Sequence, residues 1–521
     1  EGRTKIVNQQ GGNIDTNRVL AALAAPDGGA SLCAGGLNPF GRQPMSAACQ
    51  TYFSVAGAPN QWVTLGLTPG TADGDGADFG AGDGNNITVT GEALSIAGGG
   101  SATNGALRNL SGNNTFAGLV TLTGAASIQS DAGLLTLDVA TGNAITATNQ
   151  DLTFTGAGNT TVADAIAIGS GSLTKTGSGS LTLGATNTYS GKTTIANGTI
   201  SVGSTAALGT NAALDLGVAT TSSGRLLYTG AATTLSKNIN VLGNGTDTIQ
   251  NGGSGLLTLS GTLTKAGTTL NLVGGASGIL VTGTIVGLPA SSDLVIGNGV
   301  TTLQNANTYN GPTILNSGGT LNINHASAIS TGAFTINGGT IDNTSGAAIT
   351  LSTNNPLNIN ANFTFTGTNS LDLGTGAVTL DANRTVTVTA NTLTIGGAIS
   401  GAFSLTGTGA GTLLLTGAST YTGTTTAVTG STISVGGNGS LGDTSSGTVI
   451  DSGASLALNN VLYTDAEALT INGAGVGFVG EVATVVGGVD ERGDEGREEV
   501  EGPGAERHRL AFLLQRAFVF K

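Results

Sequence analysis

Two long segments of the chain have similar sequences, and this repetition constrains the fold more than any other feature. Residues 177–203 read GSGSLTLGATNTYSGKTTIANGTISVG, and residues 407–436 read GTGAGTLLLTGASTYTGTTTAVTGSTISVG. Both segments alternate apolar residues with Thr or Ser, which is the period of a strand with one buried face. Because internal self-similarity is the signature of stacked repeats, the sequence predicts a solenoid.

The repeated frame centres on an aromatic residue. It reads NTYSGKTTI, NTYNGPTIL and STYTGTTTA around three tyrosines, and NTFAGLVTL in a weaker fourth copy around a phenylalanine. The copies lie too far apart for one coil each, so the repeating unit is predicted to contain several coils. We expect the three tyrosines to occupy equivalent positions in the core rather than at a ligand site. The predicted structural-repeat residues are Phe116, Tyr189, Tyr309 and Tyr421.

The composition divides the chain into three zones. Charged residues make up 9% of the 521 residues, against about 25% in typical soluble proteins, and 89 residues are Gly. Low charge argues against disorder. Residues 85–480 carry short alternating strands separated by Gly and Asn turns, which predicts an all-β, right-handed parallel β-helix. In this fold Leu, Ile and Val point inward, and Thr, Ser and Asn form outward ladders.

The two ends of the chain differ from this central zone. Residues 1–84 are predicted to be an irregular segment. Residues 481–521 are predicted to form a charged linker and an amphipathic helix, which either caps the last coil or is an out-of-frame end. The helical spacing involves Leu510, Leu513, Leu514, Ala517 and Phe518.

The repeated motifs resemble the autotransporter-associated β-strand repeat, also called the passenger-associated transport repeat. In residues 177–203 and 407–436, a Gly-rich opening, an L-T-L-like strand, an N-T-Y-x-G-like turn and a second strand follow in order. Residues 301–323 are a looser copy that contains NTYNG between two strands. The resemblance implies a secreted passenger, extracellular or at the cell surface of a Gram-negative bacterium. Its expected role is adhesion, autoaggregation or structural display. The expected partners are host or environmental glycans or proteins, or further copies of the chain.

The same resemblance implies an outer-membrane barrel as the C-terminal partner. Residues 481–521 are too few for a barrel of that family, so the barrel is absent from this chain. A passenger fragment, a relative without a barrel, and a product that lost its barrel stay open as alternatives. Residues 33–53, CAGGLNPFGRQPMSAACQTYF, are similar to an extracellular segment of TonB-dependent receptors and favour the same outer-membrane context.

Residues 85–480 offer few groups for catalysis. They contain one histidine, His325, and two glutamates, Glu92 and Glu467. No set of nucleophile, base and acid can be assembled, so we expect no enzymatic activity, and we expect His325 at the surface or a corner. Two alternatives remain: a carbohydrate-active β-helix lyase or hydrolase with clustered Asp, Arg and Lys, and a filament or sheath subunit stacked end to end. A net charge of −14 gives no footprint for nucleic acid.

One acidic cluster and one cysteine pair precede the repeats. Residues 73–86 read DGDGADFGAGDGNN, in which carboxylates and flexible turns suit Ca²⁺. The pattern departs from the EF-hand and from the calcium-binding nonapeptide, so a solvated linker is the favoured prediction and calcium the alternative. No other cofactor is predicted. Cys33 and Cys49 can pair in an oxidising compartment or remain free. The candidate calcium ligands are Asp73, Asp75, Asp78 and Asp83.

Overall fold

A computed structural model describes residues 88–90, 93–100, 105–220, 223–287 and 293–473 of the chain. It also gives the backbone of five short strands outside these ranges: Arg3–Ile6, Gln50–Tyr52, Gln61–Leu65, Ala77–Ala81 and Leu510–Ala511. The chain divides into two compact units, Glu1–Leu270 and Asn271–Lys521.

The first unit is a stack of short parallel strands. Each strand pairs in register with the strand one coil earlier and the strand one coil later, at a spacing of about 4.8 Å. One face contains Leu94–Gly98, Leu107–Asn109, Val120–Ser130, Asn143–Ala147, Leu152–Thr155, Ala165–Ala167, Leu173–Lys175, Thr193–Ile195, Ala213–Leu216, Asn238–Val241 and Leu263–Lys265. A second contains Thr88–Val89, Asn113–Phe116, Leu134–Leu137, Asn159–Val162, Ser180–Leu183, Asn197–Val202, Ser223–Tyr228 and Thr246–Asn251. A third contains Thr233–Leu235 and Leu257–Leu259.

The second unit repeats this construction. One face contains Thr269–Val273, which includes the boundary residue, then Leu294–Ile296, Thr313–Asn316, Phe334–Asn337, Leu357–Ile359, Val378–Leu380 and Ile399–Ser400. A second contains Gly275–Val281, Gly299–Leu303, Gly319–Ile323, Thr340–Asp342, Phe363–Phe365, Arg384–Val388, Leu405–Thr408, Thr425–Ala427, Thr448–Ile450 and Ala468–Ile471. The others contain Ile349–Thr350, Leu371–Asp372, Thr392–Ile395, Thr412–Leu415, Thr432–Val435 and Ser455–Leu458, and Ile285–Gly287 with Thr308–Tyr309.

The alternation in the sequence explains which side chains form the core. In the strand Leu134–Leu137, Leu135 and Leu137 are buried, whereas Thr136 points outward. Register pairing places Leu137 between two buried side chains of the neighbouring coils, Phe116 and Val162. Inward apolar columns and outward hydroxyl columns therefore run along each unit, and the predicted parallel β-helix is confirmed.

Two inward strand positions, Lys175 and Lys265, carry a lysine instead of an apolar residue. Lys175 is 2% exposed, and its Nζ donates to the carbonyl oxygen of Gly177 at 2.8 Å. Burial lowers the pKa of Lys175 to about 8. The two-residue period predicts that the Lys175 side chain points inward. It does not predict that the coil can accommodate a buried ammonium group, because this depends on backbone carbonyls that the group can reach.

The ends of the chain depart from expectation where their backbone is described. The N-terminal segment contains strands rather than purely irregular chain, and Gln61–Leu65 pairs antiparallel with Ala77–Ala81. Leu510 and Ala511 form an extended strand antiparallel to Ala468–Ile471, so the predicted helix is wrong at these two residues. Its other predicted positions, Leu513, Leu514, Ala517 and Phe518, lie outside the described residues.

Helical structure is minimal in the described part of the chain. A 3₁₀ turn, Thr205–Leu208, is the one helical element there, and Ser204 caps its start by accepting from the amide of Ala206 at 3.3 Å. Across the described ranges, no helix is both long enough and apolar enough to span a bilayer.

Candidate functional site

Each complete repeat spans two coils, and its first half stacks on its second half. In the first repeat, Leu173–Lys175 pairs with Thr193–Ile195, and Ser180–Leu183 pairs with Asn197–Val202. The third repeat follows the same plan, since Leu405–Thr408 pairs with Thr425–Ala427. The tyrosine lies between the paired strands of the first coil and those of the second, and in the second repeat it ends the short strand Thr308–Tyr309. The chain therefore passes from the first coil to the second at the tyrosine.

The three tyrosines lie in equivalent buried positions. Tyr189, Tyr309 and Tyr421 have no exposed surface. Each hydroxyl contacts the hydroxyl of the threonine four residues later. The oxygen–oxygen distance is 2.7 Å for Tyr189 and Thr193 and 2.5 Å for Tyr309 and Thr313, and Tyr421 makes the same contact with Thr425.

The threonine connects the tyrosine to a loop that follows the repeat. Its hydroxyl donates to the carbonyl oxygen of Leu208 at 3.0 Å, of Ile329 at 3.4 Å and of Leu441 at 2.8 Å in the first, second and third repeats. Because a threonine hydroxyl has one proton, the tyrosine must be the donor in the pair. We call the tyrosine, the threonine and the loop carbonyl together the tyrosine clasp.

A polar residue two positions before the tyrosine adds a second tie. Asn187 accepts from the amide of Ile166 in the preceding coil at 2.7 Å and donates to the carbonyl of Ala207 in the following loop at 2.5 Å. Asn307 makes the same pair of hydrogen bonds, at 2.8 Å and 2.6 Å, in the second repeat. These side chains therefore link three successive layers of the stack.

The residue after the loop carbonyl adopts a left-handed backbone. Gly209 has φ +69° and Gly442 has φ +97°, and a Cβ on either would lie 2.5 Å or 2.9 Å from Cε2 of the clasp tyrosine. Glycine therefore satisfies both the backbone conformation and the close approach of the ring. In the second repeat this position is Ser330, a non-glycine residue with φ +47°.

The clasp tyrosines are enclosed by the packing of the coils. Burial raises the pKa of all three tyrosines well above the ordinary value, and the hydrogen bond from tyrosine to threonine only partly opposes this shift. The phenols therefore stay neutral. A neutral, enclosed phenol whose proton is already donated contributes to cohesion of the coils rather than to chemistry.

Phe116 lies at a different position from the tyrosines. It is buried in the strand Asn113–Phe116 and is in register with Leu137. That column continues through Val162 to Leu183, which precedes Tyr189 by six residues in the first repeat. The similarity of NTFAGLVTL to the tyrosine frame is therefore a local resemblance, because Phe116 belongs to a strand column and not to the connection between coils.

Polar ladders cover the outer faces of the first unit. Each is built by strands in register, so that equivalent hydroxyl and amide groups follow one another from coil to coil. One consists of Ser127, Thr153, Thr174, Thr194, Asp215, Asn240 and Thr264. A shorter one consists of Thr115, Thr136, Thr161, Thr182 and Ser201. These ladders are the most extended regular feature available to a partner.

The basic residues of the described region are spread over separate structural contacts. Arg108 pairs with Asp131 at 2.5 Å, Lys192 pairs with Asp215 at 3.0 Å, and Arg384 pairs with Asp381. Lys237 instead donates to the backbone carbonyl of Gly209 at 2.8 Å. This dispersion offers no clustered groove of acids and bases.

The remaining predicted site residues divide into described and undescribed ones. His325 lies in the loop after the second repeat, where its Nδ1 accepts from the amide of Ser327 at 3.0 Å. Asp73, Asp75 and Asp83 lie outside the described residues, as do Cys33 and Cys49, and only the backbone of Asp78 is described. Calcium binding and a disulfide therefore stay predictions. Within the described ranges, no group of three or more His, Cys, Asp or Glu side chains could hold a metal.

Sequence reasoning identified the tyrosines but missed their partners. The threonine lies four residues after the tyrosine in every complete copy, and a small residue followed by Leu or Ile and then Gly or Ser lies about twenty residues after it. The signal was thus present as Y-x-G-x-T, but the pairing of its hydroxyls depends on the turn between coils. That turn has no two-residue period from which a direction can be read.

Comparison with known proteins supports the repeat as the organising unit. The passenger-associated-transport-repeat family matches residues 173–202, 296–323 and 405–435, which are the three two-coil units with a tyrosine clasp. No curated protein and no solved structure gives a significant match to the chain.

Proposed function

We propose that the chain, in which the passenger-associated-transport-repeat family matches residues 173–202, 296–323 and 405–435, is an autotransporter passenger that acts at the surface of a Gram-negative bacterium in adhesion and autoaggregation. The proposed partner is a second copy of the chain. The proposed role is structural and not catalytic: the stack of coils presents its polar ladders, which strand pairing keeps in register. The single observation that carries this proposal is the seven-residue ladder from Ser127 to Thr264.

An in-register ladder suits pairing with an identical ladder. Its groups recur at the strand spacing of about 4.8 Å, so two copies brought side by side can form many weak hydrogen bonds at once. Residues 100–480 contain only 14 acidic and 7 basic residues, so the faces lack the repulsion that keeps most soluble proteins apart. Salt should therefore have little effect on the contact.

The distribution of aromatic residues favours self-association over glycan binding. Clasp tyrosines and core phenylalanines are buried, and in the described ranges Phe403 is the aromatic residue with the most visible surface, being half-buried. Exposed aromatic rings are the usual platforms and hot spots of binding surfaces. Glycans and other proteins are thus the weaker candidate partners for this face. The experiment below also tests whether either of them is required.

The experiment uses beads or cells that display the full chain, with clumping followed from low to high salt. We expect clumping that persists at high salt. A triple variant, Thr153→Lys, Thr174→Lys and Thr194→Lys, should disperse the particles because it places like charges in one ladder on both partners. The matched control adds the same charge at exposed positions away from the ladder: Thr141→Lys, Ala232→Lys and Ser236→Lys.

Three outcomes would contradict the proposal. Particles that stay dispersed under all conditions would remove self-association. Clumping that dissolves at modest salt would assign the contact to charge. Clumping that occurs only after a glycan or a second protein is added would transfer the adhesive role to that partner.

A further inference from the structure

Three buried polar atoms near the described end of the second unit, one in the loop of the third repeat and two just before the last strand, make no hydrogen bond in this structure. These atoms are Oγ of Ser440, the hydroxyl of Tyr463 and Oε2 of Glu467. The three residues are between 0% and 7% exposed. Buried polar groups normally find partners, so such a local concentration calls for an explanation.

Glu467 is fixed in this neighbourhood by one good contact. Its Oε1 accepts from the hydroxyl of Thr448 at 2.9 Å. Thr448 begins a strand that pairs with Thr425–Ala427 on one side and Ala468–Ile471 on the other. Glu467 directly precedes this last strand. Its carboxyl group therefore ties the final strand to the strand Thr448–Ile450, which in turn pairs with the strand of the third clasp.

Among the described residues, the charged groups that act on Glu467 are negative, and its other titratable neighbours are neutral phenols. Asp465 and Asp443 act on it electrostatically, and Tyr421 and Tyr463 are the other titratable groups close to it. No Lys, Arg or His occurs between Arg384 and Arg492 in the sequence. An ionised carboxylate here would be buried without a counter-charge, which is costly.

We propose that Glu467 is an acid-closed latch, which holds the last described coil in place when its carboxyl carries a proton and loosens the coil when it is ionised. The protonated acid supplies an O–H donor on Oε2, the atom that has no partner. The hydroxyl oxygens of Tyr463, four residues before Glu467, and of Ser440 can accept a hydrogen bond and are the other two buried atoms without a partner in this part of the second unit. Ionisation removes this donor and adds a third negative charge beside Asp465 and Asp443.

The direction of the pH dependence follows from the environment. Burial is the largest cause that raises the pKa of Glu467, and Asp465 and Asp443 raise it further, whereas the hydrogen bond from Thr448 opposes them. An exposed glutamic acid titrates near about 4.3. The latch is thus fully closed below that pH, and its contribution is lost as the pH rises through the higher value of the folded protein.

The test is native-state hydrogen exchange of the full chain at pH 5 and pH 7.5, corrected for intrinsic exchange rates. The reporting amides are those of Ala468–Ile471 and Asn472, whose amide donates to the carbonyl of Ile450 at 2.9 Å. We expect their protection to be about tenfold higher at pH 5. The amide of Thr210, which donates to the carbonyl of Tyr189 at 2.8 Å, is the internal reference and should not change.

Two variants separate the latch from general acid effects. Glu467→Gln keeps the shape and the acceptor for Thr448, so its protection should equal the wild-type value of pH 5 at both pH values. Asp451→Asn removes a carboxyl group that accepts from the Asn472 side chain at 3.5 Å and is not among the groups acting on Glu467, so the amides of Ala468–Ile471 should retain the full pH dependence. Equal wild-type protection at the two pH values would overturn the proposal without any variant. A pH dependence that survives in Glu467→Gln would also overturn it.

Discussion

The first and third repeats share one frame but connect their coils differently. In the first, Asn187 reaches both the preceding coil and the following loop, at 2.7 Å and 2.5 Å. In the third, Ser419 accepts from the amide of Ile399 at 3.1 Å and donates to Gly417 within its own coil. The shorter serine side chain thus makes no hydrogen bond to the following loop. In that loop, Ser440 has a buried hydroxyl that makes no hydrogen bond.

This difference shows that the clasp and the Asn bridge are two separate contacts within one motif. The clasp of tyrosine, threonine and loop carbonyl occurs in all three repeats, so the close stacking of the loop on the ring does not depend on Asn. The Asn bridge is an addition that the third repeat lacks, and the coil after that repeat also contains the latch residue Glu467. We infer that cohesion is graded along the repeats, with the weakest side-chain tie next to the last described coil.

Removal of the tyrosine ring should have the largest effect in both repeats. Tyr189→Ala or Tyr421→Ala deletes a fully buried aromatic side chain and leaves the threonine hydroxyl facing a cavity. We expect the free energy of opening to fall by about 3–5 kcal/mol at each site. Native-state hydrogen exchange measures this at the amides of Thr210 and Asp443, which donate to the carbonyls of Tyr189 and Tyr421.

An exposed apolar residue provides the control for this comparison. Leu119 is 38% exposed, so Leu119→Ala should change the opening free energy by less than about 0.5 kcal/mol. A loss at Tyr189 as small as at Leu119 would mean that the ring does not hold the coils together. A loss at Thr210 caused by Tyr421→Ala would mean that the repeats are not locally independent.

The strand faces were predictable from the sequence, whereas the clasp geometry was not. The alternation around Leu135, Thr136 and Leu137 fixes which side chains point inward, because a strand has a strict two-residue period. Tyr189 and Thr193 lie on either side of a turn, where direction depends on the fold of the whole coil. Phe116 shows that the motif alone does not determine the position of its aromatic residue, since the similar sequence NTFAG places Phe116 in a strand.

Substitution at the left-handed position should have an intermediate effect and distinguish the first repeat from the second. Gly209→Ala combines an unfavourable φ with a clash on the Tyr189 ring, so we expect a loss of about 2–3 kcal/mol in opening free energy. Ser330→Gly relieves backbone strain in the folded protein but raises the conformational entropy of the unfolded chain. The opening free energy should therefore change by no more than about 1 kcal/mol. Hydrogen exchange at the Thr210 amide reports the first effect, and the amides of the Phe334–Asn337 strand report the second.

A second glycine isolates the clash from the backbone term. Gly142 has φ +94° and open space around its Cβ position, so Gly142→Ala incurs only the backbone penalty of about 1 kcal/mol. Equal losses for Gly142→Ala and Gly209→Ala would exclude close packing of Tyr189 as the reason for glycine.

Exchange of the polar residue before the tyrosine should have the smallest effect and tests the comparison most directly. Asn187→Ser shortens the side chain, so the carbonyl of Ala207 loses its donor, and we expect a loss of about 1–2 kcal/mol in opening free energy. Ser419→Asn extends the side chain toward the loop of the third repeat and should gain about 0.5–1.5 kcal/mol there. The exchange rates of the Thr210 and Asp443 amides measure the two changes. Because an asparagine can form the second bond only if the third loop has the geometry of the first, a loss on Ser419→Asn would show that the loops differ in shape, and not merely in the residue that faces them.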